Sequence, residues 1–514
     1  MSDFIDDQII FSNLIKEVGS TCIYNGKTIS DILTIEGVSL WEVSSPEMAW
    51  RHLVNIAEAK KLSEKLKVYL RPKLYKGKLI SDLMYKSFEK TTFQIKSNSD
   101  YIMSLGFSPQ MYNDVVDPVV KNLIHEFNFE HSLVCQADNE KSFKNNNYNM
   151  IQFGMSKIEN FNKKKKDYFN FLKKTEQMIK ESESYKKLIL MYKMKFNSDI
   201  LEKLFELFFN GLAPINLINL IYARFYLEKI LPKCIISPDI ADARCRVFVL
   251  TAKTLNIPVY EIQFGLTGPE GIEWRFFNSD RVAVWGEQAK KHLISHGIPS
   301  SKISVTGSAR HDLLVYQARK KNDGVKHNLR KNITRILFAS TYTDIAHSKY
   351  CPPEKIVEMK KAVINSVINN NQFYLTIKPH PKENEADLKK IVGVYGNNIS
   401  IAEKHKDIRN LILECDAFVS FGSTASLDAL LAGKKTGSLV FPGWSFSNEL
   451  LGQTPITMLD TVEKVNSFIR TTIMGTKINY DSKESNQIKQ MCIFDGKATK
   501  RISKDIIDLL QVKR

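Results

Sequence analysis

Short apolar segments alternate with helical segments in two separate series, and this alternation constrains the fold more than any other feature of the chain. The first series begins at Cys234 and the second at Arg335. Strands that alternate with helices form βαβ units, and such units build parallel sheets. The sequence therefore predicts an α/β fold with two Rossmann-like domains.

The strands predicted for the two series are Cys234–Ser237, Ile257–Gln263, Arg281–Trp285 and Ile303–Thr306, then Arg335–Ser340, Phe373–Ile377, Ile399–Ile401, Ala417–Ser420 and Ser438–Phe441. A polar, basic stretch between the series, Tyr316–Asn332, is predicted to be the linker. We expect a first domain over residues 1–325 and a second over residues 326–490. The remaining residues, 491–514, contain an amphipathic segment, Ser503–Val512, which we expect to pack back on the first domain as a helix.

One strand of the second series leads into a pattern that suits an anion. Asp416–Ser420 reads as a buried strand, Phe421 and Gly422 as a turn, and Ser423 or Thr424 as the cap of a helix that stops at Gly433. A helix start of this kind presents free backbone N–H groups and the positive end of the helix dipole. The pattern predicts a phosphate site, although an ordinary capped helix would look the same.

The strand Phe373–Ile377 ends abruptly in Lys378-Pro379-His380-Pro381. Two prolines cannot continue a strand ladder, so they hold the imidazole at the carboxyl end of the strand. Ligands of open α/β sheets bind at that edge. His380 is therefore a candidate for holding phosphate together with the hydroxyl-rich helix start.

Composition indicates the kind of partner and the compartment. The net charge of +17 favours anionic partners such as nucleotides, acidic polysaccharide, a membrane face or nucleic acid. Seven cysteines lie apart without a C-x-x-C pair, as in a reduced cytoplasmic protein without a zinc site. The first residues lack the pattern of a signal peptide, and the charge-free run Leu207–Ala223 is too short to span a bilayer. We expect a cytoplasmic protein, soluble or peripheral on the membrane.

Residues 157–195 are predicted to form a strongly basic helical insertion, with Lys163–Lys166 at its start and aromatic residues interleaved. One interpretation is a solvated helical face. The other is a patch that contacts anionic lipid or guides an acidic acceptor. Nucleic-acid binding is not expected, because no recognisable nucleic-acid module surrounds the segment.

Five short motifs carry a resemblance to a known family: Gln263-Phe-Gly265, Val284-Trp-Gly-Glu287, Val305-Thr-Gly-Ser-Ala-Arg310 with Asp312, Lys378-Pro-His-Pro381, and Ser420-Phe-Gly-Ser-Thr-Ala-Ser426. In order and spacing the chain resembles the GT-B glycosyltransferases, whose two Rossmann-like domains face a cleft. More narrowly, it is similar to capsular and surface polysaccharide transferases, polysialyltransferases and CDP-glycerol glycerophosphotransferases. The resemblance covers about Pro232 to Pro442 and leaves the N-terminal third without a match.

The resemblance implies where a nucleotide-sugar donor is held. His380 and the hydroxyls of Ser423 and Thr424 would bind the donor phosphate, and Asp428 would contact the ribose. The same motifs place Gln263, Gly265, Gly422 and Ser426 in the donor site. Phe264 stands where many relatives have His, so any role of that His is lost or moved in this chain.

Sugar transfer needs positive charge for the leaving phosphate and a base for the acceptor hydroxyl. Lys378, His380 and Arg310 are the candidate cations. No Asp-x-Asp pair occurs in a plausible loop, so we expect no metal and no other cofactor. The candidate bases lie on loops of the first domain: Glu270, Glu273 and Asp239, in that order.

The leading hypothesis is a metal-independent glycosyltransferase acting on a surface polysaccharide or glycolipid acceptor. Three alternatives remain open: a phosphotransferase that uses a CDP-activated polyol, a nucleotide-sugar 2-epimerase, and a non-catalytic scaffold of a polysaccharide-assembly complex. The epimerase would need several acid/base carboxylates around one sugar, and the sequence alone does not assign them.

Overall fold

The computed structural model describes residues 3–49, 100–136, 139, 142–143, 148–154, 158–268, 271–324, 333–342, 352–368, 370–393, 397–441, 453–472 and 483–512. Within these ranges the chain forms two parallel sheets. Two short antiparallel hairpins precede them: β1 (Cys22–Tyr24) with β2 (Lys27–Thr28), and β3 (Thr34–Ile35) with β4 (Val38–Ser39).

The first sheet has seven strands in the order β11-β10-β9-β8-β5-β6-β7. Their bounds are β5 Tyr101–Leu105, β6 Glu130–Cys135, β7 Asn149–Gln152, β8 Cys234–Ser237, β9 Val259–Ile262, β10 Arg281–Val284 and β11 Ile303–Val305. Every pair is parallel. The central strands β8 and β9 are buried along their whole length, as expected for a sheet with helices on both faces.

The helices of the first domain are Asp3–Ser20, Ile29–Ile32, Leu40–Glu47, Pro109–Met111, Asp117–Phe127, Phe161–Glu181, Glu183–Phe196, Ile200–Leu207, Ala213–Ile230, Ala243–Thr254, Glu287–Ser295 and Ala309–Gly324. Two π-helical turns, Tyr112–Val116 and Phe208–Leu212, join neighbouring helices, and 3-10 turns lie at Ile272–Phe276 and Ser300–Lys302. By length and composition, the run Ile200–Ile230 is apolar enough to cross a membrane, but 78% of its most apolar window is buried inside the protein. This run is part of the largest apolar core, against which Phe161, Phe169 and Tyr185 of the basic segment pack.

The second sheet has six parallel strands in the order β14-β13-β12-β15-β16-β17. Their bounds are β12 Thr334–Ala339, β13 Phe373–Lys378, β14 Ile399–Ile401, β15 Ala417–Ser420, β16 Lys435–Leu439 and β17 Thr457–Leu459. The helices here are Pro353–Val367, Glu385–Val392, Ile408–Glu414, Thr424–Leu431, Val462–Thr471 and Lys483–Met491. The predicted alternation of strands and helices is confirmed in both domains.

Strand order reverses at one point in each sheet, between β5 and β8 in the first and between β12 and β15 in the second. Chain connections run to opposite sides of such a switch point, which leaves a crevice at the carboxyl ends of the two strands. In the second sheet this crevice lies beside the turn that follows β15. In the first it lies beside Asp239, just after β8.

The prediction of a linker over Tyr316–Asn332 is wrong for its first part, because the helix Ala309–Gly324 continues through it. Leu314 and Ala318 on this helix are buried in an apolar cluster with residues of the second domain, which stabilises the helix despite its polar composition. Residues 325–332 lie outside the described part of the chain.

The last helix, Ala498–Val512, packs against the first domain. Its residues Ile502, Ile506 and Leu509 share a core cluster with the helix Asp117–Phe127. Asp505 accepts hydrogen bonds from Tyr260 (2.6 Å) and Arg281 (2.8 Å). The helix Ala498–Val512 therefore belongs to the first domain.

Candidate nucleotide-sugar site

The turn after β15 forms a helix start of the predicted type. Gly422 has φ +48°, a left-handed conformation that favours glycine, and its N–H donates to the Ser438 hydroxyl at 3.2 Å. Ser423 is the helix cap, and its Oγ accepts the Ala425 N–H at 3.2 Å. Thr424 is the first helical residue, so its N–H has no acceptor inside the helix and faces the crevice with the positive end of the dipole.

The first domain meets this helix start directly. The Leu266 N–H donates to Thr424 Oγ1 at 3.4 Å, and a Cβ on Gly265 would lie 3.9 Å from the same oxygen. Gly265 and Thr424, both predicted site residues, therefore lie together across the cleft. Phe264, where relatives have His, stacks below the Arg310 guanidinium at 5.7 Å.

Gln263 is buried behind the Gly265 loop, and its predicted contact with donor stays a prediction. Only 1% of its surface is exposed. Its Oε1 accepts the Trp285 N–H at 2.9 Å, and its Nε2 donates to the Gly265 carbonyl at 2.8 Å. Because both ends of the amide are used, Gln263 shapes the Gly265 loop from behind.

Ser426 and Asp428 are also buried, and their predicted contacts with donor stay predictions. Ser426 is fully buried, and its hydroxyl bonds to that of Ser420 at 2.7 Å. Asp428 is fully buried inside the helix, and both of its carboxylate oxygens are bonded to side chains from the helix Ala309–Gly324.

The partners of Asp428 are Arg310 and His311. Arg310 Nη2 donates to Oδ2 at 2.5 Å, and His311 Nε2 donates to Oδ1 at 2.8 Å. Burial alone would raise the pKa of Asp428, but Arg310 and His311 outweigh it and hold that pKa below its usual value. Arg310 is consequently an interdomain ion-pair partner through Nη2, and the predicted contact of its guanidinium with donor phosphate stays a prediction.

His311 was missed by the sequence analysis. Burial lowers the pKa of His311 against the opposing effect of Asp428, so its imidazole is neutral. Its Nδ1 lies 3.3 Å from the Cys492 sulfur and accepts from that thiol, whose pKa is raised by burial. No motif marks this contact, because the three side chains come from positions far apart in the sequence.

His380 follows the carboxyl end of β13, as predicted, and β12 lies between that strand and β15. Its Nδ1 accepts the Lys382 N–H at 3.1 Å, so Nε2 carries the proton of the neutral ring. The Tyr342 ring packs on the imidazole with centroids 4.6 Å apart. Burial lowers the pKa of His380, and Lys382 lowers it further, which keeps the ring neutral at physiological pH.

A buried ion pair holds the His380 loop from below. Glu383 Oε1 accepts Lys360 Nζ at 2.5 Å and the Ser340 hydroxyl at 2.9 Å, while Oε2 accepts the His380 N–H at 3.1 Å. Lys360 also donates to the Thr341 carbonyl at 2.7 Å. These contacts fix the ends of β12 and β13 relative to each other.

Lys378 is 6% exposed, and its Nζ donates to the carbonyls of Lys404 (2.7 Å) and Pro379 (3.2 Å). Burial lowers its pKa. The ammonium stabilises the loop after β14 with two of its three donors, and its predicted contact with phosphate stays a prediction.

On the first domain, three carboxyl groups with raised pKa values lie near one another. Burial raises the pKa of Glu273 to about 7 and that of Glu261 to about 7. Burial and the neighbouring Asp242 raise the pKa of Asp239, whose Oδ1 accepts the N–H groups of Ala241 and Asp242 at 2.8 and 3.0 Å. Raised pKa values of this kind suit acid–base chemistry.

The three carboxyl groups differ in access. Glu261 is only 2% exposed and accepts the Ser279 hydroxyl at 2.9 Å, so it lies behind the other two. Asp239 and Glu273 are partly exposed. Glu270, the first of the predicted bases, lies outside the described residues. Within the described ranges, no group of three or more His, Cys, Asp or Glu residues is arranged to hold a metal ion.

No protein-family model matches the chain, and no curated protein matches it in sequence. Solved structures share its fold. A UDP-N-acetylglucosamine 2-epimerase superposes with a TM-score of 0.52 at 14% identity, covering 81% of this chain and 97% of that chain. The co-structure of S. aureus MnaA with UDP gives 0.52 at 16%, covering 80% and 97%. A putative UDP-N-acetylglucosamine 2-epimerase from Listeria monocytogenes gives 0.52 at 14%, covering 81% and 98%.

These similarities establish the fold. The chain has two Rossmann-like domains with parallel sheets, as the sequence predicted, and shares this two-domain fold with the solved structures. At 14–16% identity, the similarity concerns the fold alone.

Proposed function

We propose that the protein transfers a sugar from a nucleotide-activated donor to a hydroxyl of a surface polysaccharide or glycolipid, without a metal ion. The observation that carries this proposal is the juxtaposition across the cleft of Gly265 and Leu266 with Thr424, at the switch point of the second sheet. A phosphate site on one domain then lies opposite the sugar-facing loops of the other.

The donor diphosphate binds at the start of the helix Thr424–Leu431. Thr424 supplies a backbone N–H and the dipole end, and the absence of a side chain on Gly422 lets the phosphate approach the turn. His380 follows β13, separated from β15 by β12 alone, and its neutral ring donates through Nε2. Fixed donors of this kind stabilise the charge that develops on a leaving phosphate.

Glu273 is the proposed general base, with Asp239 in reserve and Glu270 still a candidate. A base works best when its pKa is near the operating pH, and the pKa of Glu273 is raised to about 7. The carboxylate would remove the acceptor proton as the hydroxyl attacks the anomeric carbon and the nucleotide leaves with the bonding electron pair. The reaction would take place in the cytoplasm, where nucleotide sugars are made available to acceptors at the membrane.

A 2-epimerase is the second candidate, and a specific observation favours it. Inverting a carbon requires removal of a proton on one face and delivery on the other, so two carboxyl groups that titrate near neutrality fit such a reaction. Asp239 and Glu273 provide two such groups. The names of the structural neighbours also favour this candidate, since two of them are UDP-N-acetylglucosamine 2-epimerases. UDP-N-acetylglucosamine is the class of substrate that these names indicate.

A panel of nucleotide sugars and CDP-polyols tests the proposal. Each compound is incubated with the purified protein, once in the presence and once in the absence of an oligosaccharide or glycolipid acceptor. Transfer predicts release of nucleoside diphosphate that depends on the acceptor. An epimerase would give a new nucleotide sugar without acceptor and exchange solvent deuterium into the sugar. A polyol phosphotransferase would release CMP from a CDP-polyol. If no compound binds or reacts, the proposal is wrong and the scaffold interpretation replaces it.

A further inference from the structure

We propose that the exposed face of the helix Glu183–Phe196 lies on an anionic lipid bilayer. Three large apolar side chains are exposed on this one helix: Leu190 by 60%, Met191 by 43% and Met194 by 75%. Their clustering on fourteen residues is what separates this surface, called the apolar ridge below, from isolated apolar residues elsewhere. The inference does not depend on the proposed transfer reaction.

The ridge follows from helical spacing. Positions 187, 190, 191 and 194 are three, four and seven residues apart and therefore share one face. Leu188 and Tyr192 point to the opposite side and are 6% and 1% exposed. The buried side is anchored by the Tyr192 hydroxyl, which donates to Glu17 at 2.5 Å, and by Phe196, which packs near Phe11. The helix is thus fixed to the core with its apolar ridge turned outward.

Lysines border the ridge on both sides. The helix carries four lysines and one glutamate. Lys186 and Lys193 are on one flank, where their contacts to Glu183 (2.7 Å) and Asp199 (2.9 Å) are highly exposed and therefore weak. Lys195 lies on the other flank, over the Tyr192 ring. An apolar ridge with cationic borders matches the boundary between acyl chains and anionic headgroups.

A second element adds to this surface. The hairpin of β1 and β2 packs against the same helix, and Tyr24 near its tip is 58% exposed. Lys27 follows across the turn and is also exposed. Tyrosine is favoured at membrane interfaces because its ring is apolar and its hydroxyl is polar.

A protein partner fits this surface less well than lipid. A stable protein interface buries roughly 800 Å² on each side, far more than three partly exposed side chains and one tyrosine offer. Nucleic acid would use the lysines but would leave Leu190, Met191 and Met194 in water, since base recognition relies on aromatic stacking or hydrogen bonds. A bilayer uses the charges and the apolar side chains together.

Sedimentation with vesicles tests the proposal. The full-length protein should bind vesicles of phosphatidylcholine with 30% phosphatidylglycerol (about three lipids in ten) and bind pure phosphatidylcholine at least tenfold more weakly. Leu190→Gln, Met191→Gln and Met194→Gln combined should lower binding to the anionic vesicles at least tenfold, at low salt as well as high. Glutamine keeps helix propensity at these exposed positions, so thermal stability should be unchanged.

The matched control is Lys163→Gln, Lys164→Gln, Lys165→Gln and Lys166→Gln combined, which removes four charges from the neighbouring helix. It should bind within threefold of wild type, whereas Lys186→Gln, Lys187→Gln, Lys193→Gln and Lys195→Gln combined should bind at least tenfold more weakly. Equal effects of the two lysine sets, or normal binding by the apolar triple variant, would overturn the proposal. The proposal would also be overturned if light scattering showed that the wild-type protein is a dimer and that the triple variant alone is a monomer with unchanged vesicle binding.

Discussion

Arg310 and Asp428 form an ion pair across the two domains, with Nη2 and Oδ2 2.5 Å apart and side chains 7% and 0% exposed. The carboxylate belongs to the helix whose first residue, Thr424, faces the cleft. Its guanidinium partner belongs to the helix that leaves the first domain. The pair therefore sets the position of the proposed phosphate site relative to the first domain.

Replacing Asp428 by Asn should strongly destabilise the protein. Removing one partner of a buried ion pair typically costs about 3–5 kcal/mol, because the remaining charge stays buried. The pKa of Asp428 is lowered from its ordinary 3.8, so its contribution is present above that pH and is lost as pH falls through the lower pKa of the folded protein. Denaturant unfolding of wild type and variant from pH 3 to pH 8 measures the difference, which should shrink only at the acid end.

The control for this change is Asp407→Asn. Asp407 pairs with Arg409 at 2.9 Å, but its side chain is 42% exposed, and an exposed pair contributes at most about 1 kcal/mol. Equal stability losses in the two variants would mean that burial does not govern the Arg310–Asp428 pair.

His380→Ala should lower turnover of the donor while leaving the fold intact. A hydrogen bond to a charged group contributes about 1.5–3 kcal/mol, which corresponds to roughly a 10- to 100-fold loss in kcat/KM. His405 is the matched control, because it follows the neighbouring strand β14 of the same sheet and is exposed. Steady-state kinetics should distinguish the two alanine variants, and equal activities would remove His380 from the phosphate site.

Glu273→Gln should stabilise the protein at alkaline pH and reduce its activity. Burial raises the pKa of Glu273 from 4.5 to about 7, so ionisation in the folded state costs up to about 3 kcal/mol. Below pH 4.5 both folded and unfolded chains are protonated, and the stability difference should disappear. As a general base, Glu273 would account for about 10²–10⁴-fold in rate, and wild-type activity should rise as pH increases through about 7.

Asp239→Asn is the companion variant, since Asp239 lies near Glu273, is partly exposed and also has a raised pKa. Loss of activity in one variant alone favours transfer with a single base, whereas loss in both favours the epimerase. If the Glu273→Gln variant is more stable than wild type at pH 8 and keeps full activity, Glu273 is a structural carboxyl and not the general base.

Turnover should survive EDTA. In the proposed site, His380 and the helix start meet the phosphate charge without a metal ion. Donor turnover measured after dialysis against EDTA should stay within about twofold of the untreated protein. A complete loss that magnesium or manganese restores would contradict this.

The sequence was most informative where local signals coincide with the fold. Alternating strands and helices, the glycine turn at Gly422 and the prolines around His380 are all local patterns, and each predicted element lies where expected. The bounds shifted by a few residues, as for β16, which starts at Lys435 rather than Ser438.

The sequence was least informative where function depends on which face a residue takes. Gln263, Ser426 and Asp428 stand in the expected motifs and are buried, and a motif does not specify burial. The contacts of His311 and Lys360 join segments that are far apart in the sequence, so no local pattern predicts them. The segment after Tyr316 was predicted to be a linker because most of its residues are polar. It is helical because the helix is held by a few apolar residues, Leu314 and Ala318, which pack in a buried cluster.

The chain passes between the two sheets twice, once after the helix ending at Gly324 and once before the helix beginning at Ala498. Gly286 is where the second crossing meets the first domain, since a Cβ there would lie 2.4 Å from the Gln490 carbonyl oxygen. Any side chain at position 286 would therefore push the end of the helix Lys483–Met491 away from the first domain, and with it the segment that brings the chain back from the second sheet.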